Sequence, residues 1–102
     1  MPRQHNRIAV PMEIVLEFSS GKRQGRISDL SVGGCFVDGI AAVQEGDTVF
    51  FKLGAESDQW ERMSGEVVYV MPGIGFGLRF TDLTLEQNMR LTETVMANSG
   101  AA

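Results

Sequence analysis

From Ile8 to Phe18 the chain alternates, with Ile8, Val10, Met12, Ile14, Leu16 and Phe18 falling on one side. A period of two marks a strand with one buried face, and such a strand needs partners to cover it. Pro11 within the run fits an edge position or a bulge. Five more short strands are predicted: Arg23–Leu30, Cys35–Val37, Thr48–Leu53, Trp60–Val70 and Ile74–Phe80. Between them lie the turn Ser19-Ser20-Gly21-Lys22, the tight corner Ser31–Gly34, the turn chemistry of Glu45-Gly46-Asp47 and the turn Met71-Pro72-Gly73. Gly75 and Gly77 sit inside the last run, where close backbone approach or sharp curvature is expected. Thr84-Leu85-Glu86-Gln87 then carries a capping-box signature, with Thr84 as N-cap. The helix it opens is expected to reach about Met96, with Leu85, Met89 and Val95, plus Leu91 or Met96, as a partial apolar stripe. Six short strands and one terminal helix predict an all-β-dominated fold, a small six-stranded antiparallel β-barrel capped by a C-terminal α-helix.

A length of 102 residues is enough for one modest core, and 43% apolar residues read as soluble and globular. No apolar run approaches the ~20 residues of a membrane-spanning helix, and the N-terminus lacks the apolar stretch of a signal peptide. The single cysteine, Cys35, has no internal disulfide partner and fits a reducing cytoplasm. Charge is unevenly divided. Residues 1–26 carry Arg3, Arg7, Lys22, Arg23 and Arg26 against Glu13 and Glu17, a net +3, whereas the remainder is net −7. That asymmetry suggests a local anion site on an acidic body, too small a basic surface for long nucleic acid. Lys22 and Arg23 also read simply as the solvated face of a hairpin.

Two short clusters carry the functional signal. Arg3 and Arg7 bracket the stretch Arg3-Gln4-His5-Asn6-Arg7, and Asp29-Leu30-Ser31-Val32-Gly33-Gly34 follows at a strand turn. In this order and spacing, on a strand-rich chain, they resemble the signature of PilZ domains, the receptor domains for the bacterial second messenger cyclic di-GMP. Gly65–Val70 and Gly75–Asp82 also read much like the late strands of that family, so the resemblance runs from about Arg3 to Leu91. It implies a six-stranded barrel with a ligand-binding arm over residues 1–8, barrel over 8–82 and helix over 84–97. One domain would then span 1–97, with 98–102 as a tail.

The resemblance assigns Arg3 and Arg7 to the grip on guanine and phosphate, which suits arginine's planar fork and stacking face. Asp29 would accept hydrogen bonds from the guanine N1–H and N2–H2 edge. The Ser31 hydroxyl would bond phosphate or base, or else close its own turn. Gly33 and Gly34 would let backbone approach the ligand. Asp29 and Ser31 equally suit a plain turn in which they cap backbone amides. Arg26 is a further candidate cation. His5 lies between the arginines, as a ligand neighbour or an exposed residue. Tyr69 and Trp60 offer either stacking surfaces or barrel packing, and Cys35 reads as core.

With one histidine and no paired carboxylates legible, no catalytic or metal constellation is predicted, and the ligand is the only small molecule implied. The expected function is a cytoplasmic cyclic di-GMP receptor that passes binding to an unidentified protein partner, without membrane insertion. Its outputs in such systems are motility, exopolysaccharide or virulence. The alternative is a nucleotide-independent PilZ-type adaptor, although those usually lack the arginine pair. In the family the residue before the first arginine bears on whether one or two ligand molecules bind. Here it is Pro2.

Overall fold

The computed structural model describes residues 12–18, 21–39, 43–54 and 61–98. Six strands, β1 (Met12–Phe18), β2 (Gly21–Leu30), β3 (Gly34–Asp38), β4 (Thr48–Leu53), β5 (Met63–Met71) and β6 (Gly75–Thr81), precede one helix, α1 (Leu85–Asn98). The strands form a closed barrel in the order β1-β2-β3-β6-β5-β4, and every neighbouring pair is antiparallel. Closure through the β1–β4 pair leaves no open sheet edge in the ring.

Alternation explains which side chains fill the barrel. Ile14 and Leu16 of β1 and Val49, Phe51 and Leu53 of β4 point inward and are buried. Phe51 packs on Phe80 with ring centroids 5.7 Å apart, and Gly65 leaves room for it: a β-carbon there would lie 3.3 Å from Phe51 Cε1. In β2 and β5, however, inward residues are spaced by three, as buried Ile27 with buried Leu30 and buried Val67 with the partly buried Val70. A strand with period two cannot turn both members of such a pair inward. Register shifts between Ile27 and Asp29 and between Val67 and Tyr69 resolve the conflict. In each bulge two residues of one strand oppose a single residue of its partner, and the alternation restarts out of phase.

Several boundaries differ from the sequence reading. Gly21 and Lys22 belong to β2, paired with Phe18 and Glu17, and not to a turn. The run expected to begin at Trp60 enters the sheet at Met63, while Ile74 sits in the turn, donating from its amide to Met71 O at 2.9 Å. Ile8–Pro11 and Trp60 lie outside the described residues.

The helix is capped as its sequence predicts. Gln87 N donates to Thr84 Oγ1 and Thr84 N donates to Gln87 Oε1, each at 3.0 Å. Its apolar face is corrected in part: Val95 and Leu91 are buried as expected, whereas Leu85, Met89 and Met96 are exposed and Gln87 is buried in their place. Burial of Leu91 and Val95 in the core sets the rotation, and the third bond of Gln87, whose Nε2 donates to Arg62 O at 3.0 Å, holds position 87 on the same side. A capping box accepts Glu as readily as Gln, but a carboxylate cannot donate to Arg62 O. Gln87→Glu is therefore expected to cost about 2 kcal/mol in urea unfolding, by leaving a buried acceptor opposed to another acceptor.

Candidate functional site

The two bulges act on one strip of the barrel's outer surface. Paired residues on neighbouring strands face the same side, so Asp29↔Phe36, Phe36↔Gly77 and Gly77↔Tyr69 form a single row across β2, β3, β6 and β5. Cys35 and Val37 point into the core, so Phe36 between them faces the outer side, where it is only 9% exposed and stacks against Tyr69, and the row is external. In an unbroken strand Asp29, two residues on, would share a face with Ile27, and Tyr69 would share one with Val67. The bulges thus aim a carboxylate and a phenol at opposite ends of the same row, about 14 Å apart around the sheet.

Between them the surface is floored by glycine. The Tyr69 ring covers Gly77, where a β-carbon would lie 2.5 Å from Tyr69 Cε2, while at Gly75 one would overlap Val37 O of the neighbouring strand and lie 2.7 Å from Phe36 Cε2. The two rings stack on each other with centroids 6.1 Å apart and planes 27° apart. This is the physical reason for both glycines inside a strand. Tyr69 keeps 40% of its surface exposed, leaving one amphipathic ring accessible at the far end of Asp29's row.

At the end of the row lies the 31–34 turn. Ser31 is only 2% exposed. Its hydroxyl accepts from Gly33 N at 3.2 Å and Gly34 N at 3.1 Å and donates to Gly34 O at 3.2 Å. One donor and two acceptors are all a serine has. Of the two roles open to Ser31, the turn-closing one is therefore what the structure shows. Gly34 is buried against β6, and a β-carbon on it would overlap Leu78 O. Phe80 N donates to Gly33 O at 2.9 Å, tying the turn to the same strand. These amides face inward to Ser31, so Gly33 and Gly34 serve the shape of the corner.

Arg26 is exposed one row further along β2, with Glu13 and Asp38 as its neighbours in register. Arg3, Arg7 and His5 lie outside the described residues. Phe36 is the residue that sequence reading missed as part of this surface, although the inward Cys35 and Val37 on either side carry the signal. A groove of about 240 Å³ beside the β5–β6 hairpin is lined by residues such as Val70, Met71 and Phe76, and among the described residues no charged side chain lines it. Among the described residues no cluster of His, Cys, Asp and Glu is arranged to hold a metal, and no helix is long and apolar enough to cross a membrane.

The model of the PilZ domain family matches residues 2–97. The chain belongs to the PilZ domain family. No curated protein matches, but solved structures do. The Bacillus subtilis inhibitor of motility MotI/DgrA superposes with a TM-score of 0.82 at 12% identity, over 97% of this chain and 51% of that one. Escherichia coli YcgR in complex with c-di-GMP gives 0.75 at 17% identity, over 95% and 46%. The isolated PilZ domain of YcgR with c-di-GMP gives 0.74 at 15% identity, over 97% and 92%. At these identities the likeness is one of fold, and the chain spans about half the length of the first two. The six-stranded barrel with its C-terminal helix, expected from the sequence, is thus the PilZ fold. In this PilZ domain the Asp-x-Ser-x-x-Gly corner and the bulged row adjoin on one outer wall.

Proposed function

We propose that this PilZ domain is a receptor for cyclic di-GMP and that the ligand lies on the outer wall made by β2, β3, β6 and β5. The observation that carries the reading is the bulge at Ser28. It turns Asp29 to the outside beside the Ser31–Gly34 corner, while the residues on either side of the bulge, Ile27 and Leu30, stay in the core. Membership of a family with members solved bound to c-di-GMP supplies the ligand.

The chemistry divides between arm and wall. Arg3 and Arg7 contribute guanidinium forks that pair with phosphate oxygens or with guanine O6 and N7, and that stack on a base. Asp29 accepts from guanine N1–H and N2–H2, a pattern that adenine does not offer. Tyr69 presents a ring edge and face to the second half of the ligand. Ser31, Gly33 and Gly34 hold the corner in shape. Ordering an arm on the ligand consumes conformational entropy, so neither arm nor wall suffices alone. The covered wall is then a new surface for a protein partner, and no chemical step is assigned to the domain.

Calorimetry tests the assignment. The wild-type chain is expected to bind cyclic di-GMP and to ignore GMP at the same concentration. Arg7→Ala is expected to lose about 2–5 kcal/mol of binding free energy, the cost of removing one charge-assisted grip. Absence of saturable wild-type heat would transfer the weight to a nucleotide-independent adaptor.

A further inference from the structure

Beside the Asp29–Tyr69 row runs a second external row, Thr48–Glu66–Arg79–Gly34, in which Arg79 pairs with Glu66 on β5 and with Gly34 on β3. Gly34 belongs to the Asp-x-Ser-x-x-Gly corner. The backbone of Arg79 therefore stands one strand spacing, about 5 Å, from the corner, and about 7 Å along β6 from Gly77. Gly34 has no side chain, and the space over Gly77 is taken by the Tyr69 ring, so Arg79 is flanked on this wall by the bare corner and by Tyr69. The Arg79 guanidinium is held instead on the opposite side, by Glu66 Oε1. Both partners are open to water, with side chains 59% and 39% exposed.

We propose that Arg79 is a third cation of the ligand site and that Glu66 restrains it. The inference rests on the cyclic di-GMP reading. On binding, the Arg79 guanidinium exchanges the Glu66 carboxylate for a phosphate of the ligand. A dianion approaching this wall meets Asp29, Asp38, Glu13 and Glu66, so the wall needs a cation of its own besides those of the arm. Arg26, an exposed arginine of β2, stands between Glu13 and Asp38 in register and is farther from the corner. Exposed ion pairs of this kind are weak, and giving one up lowers affinity by no more than about fivefold. A bidentate contact to phosphate recovers more than that. Glu66 accordingly sets the affinity without touching the ligand, by competing for the residue that does.

A double-mutant cycle reads this directly. Cyclic di-GMP is titrated into wild type, Arg79→Gln, Glu66→Gln and the double variant, with thermal melting of each to verify the fold. Arg79→Gln is expected to weaken binding about tenfold or more. Glu66→Gln is expected to tighten it about threefold to fivefold, the release of an exposed pair. In the Arg79→Gln background Glu66→Gln is expected to change nothing, because the competitor has lost its target. An equal gain from Glu66→Gln in both backgrounds would mean that Glu66 acts only through its long-range charge, and would overturn the proposal. So would affinities for both single variants equal to wild type. Either result, with wild type binding and Arg7→Ala losing affinity, leaves the receptor reading intact. Failure of the wild type to bind removes that reading and the inference together.

Discussion

Asp29→Ala is expected to weaken cyclic di-GMP binding at least about a hundredfold while the barrel stays folded. The carboxylate is half-buried on the outside of β2, placed there by the Ser28 bulge. Replacing it removes both acceptors offered to guanine N1–H and N2–H2, and a desolvated charge-assisted pair of this kind is worth about 2–5 kcal/mol. The core is untouched, because Ile27 and Leu30 fill the interior on either side. Thermal melting should therefore move by no more than a surface substitution allows, within about 1 kcal/mol. Binding measured by calorimetry and stability measured by melting then separate. A variant that loses both together would place Asp29 in the structure of the turn instead.

The opposite separation is expected at Gly34. A β-carbon there would overlap Leu78 O, a backbone atom of the strand paired with β3, with Leu78 C and Arg79 Cα also in contact. No rotamer change relieves a clash with backbone. Gly34→Ala must push β3 away from β6 or distort the Ser31 corner, whose hydroxyl bonds both Gly33 N and Gly34 N. The expected loss is about 3 kcal/mol in urea unfolding, at the upper end for overpacking. Binding should fall as a consequence, because the same movement displaces the corner from Asp29. Unchanged stability would show that the corner tolerates a side chain and that its glycine answers to the ligand alone.

Much of the fold is legible in the residues, and the failures have physical causes. Thr48–Leu53 is a strand to the residue because its inward positions, Val49, Phe51 and Leu53, keep a strict period of two. The Thr84–Gln87 box marks the helix start because both of its hydrogen bonds are local. The face that the helix buries is not local. It depends on the packing of Leu91 and Val95 in the core and on the bond from Gln87 to Arg62 O, which joins residues 25 apart in the chain, and so the apolar Leu85, Met89 and Met96 mislead. The bulges are hidden for a similar reason. Spacing of Ile27 with Leu30, or Val67 with Val70, has no meaning within one strand and becomes a register shift only against β3 and β6. Asp29 is thus found by motif, whereas its alignment with Phe36 and Tyr69 is found only in the sheet. Ser31 shows the remaining ambiguity of motifs: the turn, not an open hydroxyl, uses its full bonding capacity.

The most direct measurement is a titration of the isotopically labelled chain with cyclic di-GMP followed by ¹⁵N–¹H correlation spectra. Saturable shifts are expected at Asp29, the Ser31–Gly34 corner, Phe36, Gly77, Tyr69 and Arg79, with Val15 and Lys52 on the opposite β1–β4 wall unmoved. Shifts centred on that opposite wall or on the groove at Met71 and Phe76, or a spectrum unchanged at saturating ligand, would contradict ligand binding on the β2–β3–β6–β5 wall.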